Sequence, residues 1–325
     1  MKSQFVNKKI GFFGASITDN GYYLYHIRSH IANSKDKCMV FNHGVGGTRA
    51  EMGIYTIKDE IEPCKPDYMF IEFGVNDLGI WLYDSFLIQN EDLELSKQKR
   101  NQVYYQNITG IVDYLIEQGI KPILMTPFAV NELLVETDDI ETLVDNKEKG
   151  EKITPAFYKR STFTKINQAL KGYADFITEL GASKNIPVVD TFSATYKAMR
   201  EQEGLFSKDG IHYTEDGASV ISCAILEFLG YDQPYIFEKT TINDEYWELE
   251  KLERSTQFFP WNFCHPIFGN FTEKDIEEKA TQTLNSEKSS ELNKRRASGY
   301  LNYYKNRHQL RKQLLEKQKS WFEIK

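Results

Sequence analysis

The sequence predicts an α/β fold in which a parallel sheet carries helices on both faces, followed by a mostly helical C-terminal extension. Short apolar runs alternate with longer amphipathic stretches up to about residue 230. This alternation is typical of parallel sheets whose strands are buried on both faces. Apolar residues make up 41% of the 325 residues, which is enough for a large core. After residue 230 the alternation stops, and the rest of the chain is predicted to lie outside the sheet.

Five apolar runs bounded by Gly, Pro, Asn or Asp are predicted to form the strands. They lie at residues 9–13, 38–41, 68–73, 122–125 and 186–189. Helices are predicted where apolar residues recur at intervals of three and four. These stretches lie at residues 24–31, 103–116, 163–180 and 220–229. Ligands of such sheets bind beyond the carboxyl ends of the strands, so the chemistry is expected there.

Two regions depart from the alternation. Residues 131–152 are rich in Glu, Asp and Lys and are predicted to form a surface loop, either a lid near the site or a solvated insertion. Residues 231–325 contain an irregular aromatic stretch at 235–265 and continue, from residue 272, as a charged and helix-prone segment. We therefore predict a domain at 1–230 and an extension at 231–325, which either packs on the core or mediates self-association.

Charge and cysteine usage exclude several classes of protein. The formal net charge of −7 argues against nucleic acid as the main partner. No apolar run approaches the roughly 20 residues that span a bilayer, and no signal-peptide pattern is seen. The four cysteines, Cys38, Cys64, Cys223 and Cys264, are too widely spaced to suggest a zinc site or a disulfide framework. We expect a cytoplasmic protein with neither membrane nor nucleic-acid partners.

Candidate chemistry begins after the first two strands. Ser16 follows the first strand and precedes a helix, where backbone N–H groups favour developing negative charge. Taken alone, Ser16 is as well explained as a helix cap. The second strand is followed by a turn, 44–47, with three glycines in four residues, which exposes backbone N–H groups to a ligand or simply allows a tight connection.

Two further pieces complete the set. Asn76 follows the third strand, where its side-chain N–H can reach an oxyanion. Asp209 and His212 lie three residues apart just before the last helix of the α/β unit, so the Asp can fix the tautomer of the His. Each piece alone has a structural explanation. Together they supply nucleophile, oxyanion donors, base and orienting carboxylate, the groups that acyl transfer requires.

These blocks resemble the SGNH (GDSL-type) hydrolase family over roughly residues 8–230. Ser16, Gly47 and Asn76 match the family's first three blocks, and Asp209 with His212 matches the last. The resemblance implies a three-layer α/β/α, flavodoxin-like fold and a serine esterase without metal or organic cofactor. It implies a catalytic set of Ser16, Asp209 and His212, with an oxyanion hole formed by the N–H groups of Ser16 and Gly47 and the amide of Asn76.

Two details depart from the pattern or leave it open. The first block usually reads Gly-Asp-Ser, and Ala15 stands at the Asp position, so a supporting hydrogen bond is missing. Gly46 is an alternative to Gly47 as the oxyanion glycine. Of the remaining histidines, His43 is a candidate to border the pocket, His26 and His30 are expected to be packed or exposed, and His265 is assigned no role.

The expected reaction is hydrolysis of small acyl esters, most simply acetyl esters, with a carbohydrate as the favoured alcohol. Three aromatic residues after the third block, Trp81, Tyr83 and Phe86, either stack on a sugar ring or belong to the core. Two other functions stay open at this point. One is acyl transfer to a sugar hydroxyl, and the other is a non-catalytic binding or scaffold protein on a hydrolase fold.

Overall fold

The computed structural model describes residues 2–34, 36–61, 64–83, 90–132, 165–207, 209–231, 241–255, 273–289 and 291–323. Within these ranges the chain forms a five-stranded, entirely parallel sheet in the order β2-β1-β3-β4-β5. The strands are β1 (Lys8–Gly14), β2 (Cys38–Gly44), β3 (Tyr68–Glu72), β4 (Lys121–Met125) and β5 (Val188–Val189). This is the flavodoxin-like strand order, with its topological switch between β1 and β3.

The helices of the α/β unit connect the strands. They are α1 (Ser16–Asn20), α2 (Tyr22–Asn33), α3 (Ala50–Ile61), α4 (Glu91–Glu117), α5 (Ile166–Lys184), α6 (Thr191–Glu201) and α7 (Glu215–Leu229). The extension contains α8 (Thr241–Ser255), α9 (Glu273–Asn285) and α10 (Glu291–Glu323). None of the helices in the described ranges is long and apolar enough to cross a membrane.

Two hydrophobic clusters cover the two faces of the sheet. One joins α3, α4 and α5 to inward side chains such as Phe13, Met69 and Ile71. The other joins α2 and α7 to the opposite face, where Phe12 and Phe70 stack with ring centroids 4.5 Å apart. Because a parallel strand buries both faces, its sequence is a continuous apolar run. The predicted three-layer α/β/α fold is confirmed.

Several elements differ from their predicted bounds. Helix α4 begins at Glu91, well before the predicted residue 103, since its first turns are polar and Asn90 caps them by accepting a hydrogen bond from the Leu93 N–H at 2.9 Å. Helices α3 and α6 were not predicted, and β5 has only two residues. Most of the predicted 131–152 loop lies outside the described residues, as do residues 235–240 and 256–265 of the predicted aromatic stretch. The middle of that stretch was predicted to be irregular and instead forms α8.

The extension packs on the α/β unit through buried polar contacts. Arg28 of α2 and Glu250 of α8 pair at 2.7 Å, and both side chains are 2% exposed. Arg311 of α10 pairs with Glu60 of α3, and these two side chains are 9% and 3% exposed. Unpaired, any of these charges would be costly to bury, so the pairs fix the position of α8 and α10. Self-association through the extension and the domain division at residue 230 stay predictions.

Gln318 of α10 covers the outer edge of the sheet. Its amide accepts from the Val40 N–H and donates to the Val40 carbonyl, both at 2.8 Å and buried. Without it, edge strand β2 would bury two unpaired backbone groups. We expect Gln318→Ala to lower the free energy of unfolding by about 1–3 kcal/mol, measured by urea denaturation. Gln313→Ala, on the exposed face of the same helix, is the control and should change it by less than about 0.5 kcal/mol; equal effects would contradict the prediction.

Candidate active site

Ser16 stands at the first position of α1, directly beyond the carboxyl end of β1. Ala15 is the N-cap residue, and no side chain caps the helix. The Ser16 hydroxyl instead lies 2.8 Å from Nε2 of His212. The cap explanation for Ser16 therefore does not fit the structure, since its hydroxyl is engaged by an imidazole from a loop 196 residues further along the chain.

His212 and Asp209 form the next link. Nδ1 of His212 lies 2.5 Å from Oδ2 of Asp209, and the two side chains are about one third and two fifths exposed. With a proton on Nδ1 shared with the carboxylate, the lone pair of Nε2 faces the Ser16 hydroxyl. The three residues thus form one continuous line of hydrogen bonds from carboxylate to imidazole to hydroxyl.

The loop before α7 holds Asp209 in place. Its Oδ1 accepts hydrogen bonds from the Ser207 hydroxyl at 2.7 Å, the Ile211 N–H at 2.8 Å and the His212 N–H at 2.9 Å. Partial burial alone would raise the pKa of Asp209, but the hydrogen bonds from His212 and Ser207 outweigh it and hold the pKa well below its usual range. Asp209 is therefore a carboxylate at any pH near neutrality.

The glycine turn lies beside the nucleophile and is tied to it. The Val45 N–H donates to the Gly14 carbonyl at 3.0 Å. Gly47 has a φ of 70°, in the left-handed region that favours glycine. The Asn76 amide donates to the Thr48 carbonyl at 3.0 Å, which uses one of its two hydrogens. The glycine turn is thus bonded to the end of β1 through Val45, and the residue after it, Thr48, is bonded to Asn76.

Asp77 supports the same turn from the other side. Its Oδ1 accepts the Ala50 N–H at 2.8 Å, at the start of α3. The side chain is buried, and burial raises its pKa to about 7 although the Ala50 hydrogen bond opposes the shift. No role was predicted for Asp77 from the sequence. Asn76 and Asp77 are thus hydrogen-bonded to the segment that follows the glycine turn, at the Thr48 carbonyl and at the Ala50 N–H.

The other candidate residues lie away from this assembly. His43 does not border the pocket, since it is 3% exposed and its ring contacts Cys64 and Glu60, both at 3.4 Å. His26 is buried against Ser222, and His30 packs edge-on against Tyr231. His265 lies outside the described residues.

Of the three aromatic residues after the third block, Tyr83 has a described side chain. Tyr83 is 6% exposed within the core cluster that includes α4, so its ring face is not presented to a ligand. The Lys97 ammonium lies over that ring, 4.8 Å from its centroid. The Trp81 side chain and Phe86 lie outside the described residues. Of the two roles left open for it, Tyr83 is therefore a core residue.

Comparison with known proteins places this geometry in a family. The model of the GDSL-like lipase/acylhydrolase family matches residues 12–220, more than half of the chain. Among curated proteins, the lipoprotein YqeF of Bacillus subtilis, itself described as uncharacterised, is 25% identical over 194 residues. That match covers 56% of this chain and 70% of YqeF.

Solved structures share the fold at low sequence identity. A gut microbial diltiazem-metabolizing enzyme matches with a TM-score of 0.69 and 15% identity, over 100% of this chain and 96% of that one. A catalytic mutant of the acetylxylan esterase Axe2 from Geobacillus stearothermophilus matches with a TM-score of 0.50 and 18% identity, over 72% of this chain and 98% of that one. The first likeness therefore spans the extension as well as the α/β unit.

Proposed function

The chain belongs to the GDSL-like lipase/acylhydrolase family and is a carboxylic ester hydrolase, and from this premise we propose that it hydrolyses small acyl esters with Ser16 as nucleophile. The observation that supports the proposal most directly is the line of hydrogen bonds from Asp209 through His212 to the Ser16 hydroxyl. A serine hydroxyl is a weak nucleophile until an adjacent base takes its proton. His212 Nε2 is within reach to do so.

The proposed acylation step starts at this contact. His212 Nε2 takes the Ser16 proton as Oγ attacks the ester carbonyl carbon, and the carbonyl oxygen becomes an oxyanion. Asp209, ionised and hydrogen-bonded to Nδ1, stabilises the imidazolium that forms. His212 then gives the proton to the leaving alcohol oxygen as the carbon–oxygen bond breaks, which leaves an acyl group on Ser16.

Deacylation repeats the sequence with water. His212 takes a proton from water as the water oxygen attacks the acyl carbon, and returns it to Ser16 Oγ as the acid departs. In both steps the proposed oxyanion donors are the N–H groups of Ser16 and Gly47 and the second amide hydrogen of Asn76. Each donor is expected to contribute about 2.7–4 kcal/mol to stabilising the transition state.

Removal of the Asn76 amide tests the proposed oxyanion hole. Asn76→Ala should lower kcat for p-nitrophenyl acetate by about 10²–10³-fold with a much smaller change in KM, because the amide acts on charge that develops in the transition state. Asn107→Ala is a matched control, since this partly exposed α4 residue donates to the Val103 carbonyl of its own helix and should leave kcat unchanged. An Asn76→Ala enzyme as fast as the wild type would remove Asn76 from the oxyanion hole.

The acyl size is tested by comparing p-nitrophenyl acetate with p-nitrophenyl octanoate. We propose a small acyl pocket, so acetate should be cleaved and octanoate much more slowly. A fluorophosphonate probe should label the protein at Ser16, located by peptide mass spectrometry. Fast octanoate cleavage would contradict the small pocket while leaving the esterase, and an unlabelled, inactive wild type would contradict Ser16 as nucleophile.

Acetylated carbohydrates are the proposed natural substrate class. An acetylxylan esterase is built on the same fold, and at 18% identity this likeness concerns the fold alone. The buried Tyr83 gives the proposal no support. Acetate release from acetylated xylo-oligosaccharides at a kcat/KM above that for p-nitrophenyl acetate would favour it. A cytoplasmic location, without membrane or nucleic-acid partners, also stays a proposal, to be tested by cell fractionation.

A further inference from the structure

A carboxyl group stands inside the apolar strand β3. Glu72 is 2% exposed, and its neighbours along the strand are Tyr68 through Ile71, all buried. Carboxylates are almost never fully buried without partners, because burial in a medium of low polarity penalises the charge. The reaction proposed above gives Glu72 no part, so its burial calls for another explanation.

The partners of Glu72 flank the nucleophile. The Thr18 hydroxyl donates to Oε2 of Glu72 at 3.1 Å, and the backbone N–H of Ala15 donates to the same carboxyl. Tyr23 of α2 places its hydroxyl 2.9 Å from Thr18 Oγ1. Because the Thr18 proton goes to Glu72, the Tyr23 hydroxyl donates to Thr18. The carboxyl therefore holds the chain one residue before Ser16 and two residues after it.

The carboxyl also lies directly against the backbone that leads into the turn. A Cβ atom added at Gly14 would stand 2.8 Å from Oε2 of Glu72 and 2.5 Å from Oγ1 of Thr18. Both distances are too short for any side chain at this position. Strand β1, the turn at Ser16 and the Glu72 carboxyl are thus packed as one unit, and a movement of the carboxyl would move the turn.

We propose that Glu72 is a positioning residue for the reaction at Ser16. Its carboxylate fixes Ala15 and Thr18, and so keeps the Ser16 hydroxyl on His212 and the Ser16 N–H directed at the oxyanion. The inference rests on the function proposed above, since it assigns Glu72 to the same nucleophile. Glu72 does not touch the substrate in this scheme; it acts through the turn alone.

The charge of Glu72 changes near neutral pH. Burial raises the pKa of Glu72 to about 7, while the hydrogen bonds from Thr18 and Ala15 oppose the rise. Asp77, the other carboxyl that acts on it, has its pKa raised by burial to about 7 as well. Burial raises the pKa of Tyr23, Tyr104 and Tyr213, which also face Glu72, well above 10, so they stay neutral. Glu72 thus holds the turn as a carboxylate in alkaline solution and as a carboxylic acid in acid.

Glu72→Gln separates positioning from packing. Above neutrality the wild-type carboxylate accepts two hydrogen bonds, whereas the amide offers one acceptor oxygen and one donor group. In acid the wild-type carboxylic acid has the same single acceptor and donor as the amide. We expect the wild-type to variant ratio of kcat to be about tenfold at about pH 8.5 and below about threefold at about pH 5.5. KM for p-nitrophenyl acetate should change less than about twofold.

The ratio is informative because the His212–Asp209 pair is present in both enzymes and contributes to both rates alike. Asp77 is coupled to Glu72 by charge, so any change in its ionisation is part of the effect of removing the Glu72 carboxyl. A packing role alone would give the same ratio at both pH values. A ratio that does not change with pH, or a kcat equal to that of the wild type at about pH 8.5, overturns the proposal.

Three controls keep the outcome decisive. Glu250→Gln removes another buried carboxyl, which lies in α8 and is paired with Arg28 of α2. This variant should leave kcat unchanged at both pH values. Thr18→Val should lower kcat about threefold at high pH while Thr18→Ser keeps it, which tests the contact even where Glu72→Gln fails to fold. An inactive wild type would refute the proposed function, whereas an active wild type with a normal Glu72→Gln variant would refute only this inference.

Discussion

Replacing Ser16 by alanine is expected to lower kcat/KM for p-nitrophenyl acetate by about 10⁴-fold or more. The variant keeps His212 and Asp209 but has no oxygen 2.8 Å from Nε2 to receive the acyl group. The residual rate comes from the oxyanion donors, which still polarise the ester toward water. Initial rates followed as released p-nitrophenolate, with enzyme concentration matched by absorbance, give the comparison.

Ser193→Ala is the matched control for this variant. Ser193 is an exposed serine in the first turn of α6, so its loss should leave both the rate and fluorophosphonate labelling unchanged. Ser16→Ala should lose labelling altogether while keeping the thermal unfolding midpoint of the wild type. A Ser16→Ala enzyme that retains a tenth or so of the wild-type rate would show that another group is the nucleophile.

The strands were predictable from sequence because burial on both faces makes their apolar pattern continuous. Helices were predictable only where one apolar stripe dominates. The second half of α4 has that stripe, whereas its first half, residues 91–102, has two leucines among polar residues and begins at the Asn90 cap. Helix α6 begins with buried threonines, Thr191 and Thr195, whose hydroxyls bond to nearby backbone. A hydrophobicity pattern contains no signal for such buried hydroxyls.

The candidate site was predictable where function imposes short motifs. Ser16, Asn76 and the Asp209–His212 pair each stand at a fixed place beyond a strand or before a helix. Their assembly joins segments up to 196 residues apart, which follows from the strand order and not from any local pattern. Strand β1 lies between β2 and β3, so the three loops that follow these strands meet at one edge.

What the sequence could not reveal is burial of polar and aromatic residues. Tyr83 follows the third block as a sugar-binding residue would, yet it belongs to the core. His43 adjoins the glycine turn, but its ring is buried against Cys64 and Glu60. One signal was present and unused. Glu72 is a lone charge in an apolar strand, and such a residue is either paired or functional.

Asp209→Asn is expected to lower kcat by about 10³–10⁴-fold although the side chain keeps its shape. The asparagine oxygen can still accept from the Ile211 and His212 N–H groups, as Oδ1 of Asp209 does. The asparagine NH2 group then donates a hydrogen bond to Nδ1 of His212, so Nδ1 must carry a lone pair in place of its proton. The imidazole proton moves to Nε2, and His212 can no longer accept the proton of Ser16. Steady-state rates on p-nitrophenyl acetate measure the loss, and Asp216→Asn, at an exposed position in the first turn of α7, should be silent.

Stability against pH provides a second measure of the same contacts. The pKa of Asp209 is lower in the folded protein than the value of about 3.9 expected for an unfolded chain. Ionised Asp209 therefore stabilises the fold above about pH 4, and this contribution is lost as the pH falls through the folded value. Wild type should unfold at a higher temperature than Asp209→Asn near neutrality, and the difference should shrink in acid. If the difference instead grew as the pH fell, the carboxylate would not be held by Ser207 and His212, and its role as the partner of the base would fail with it.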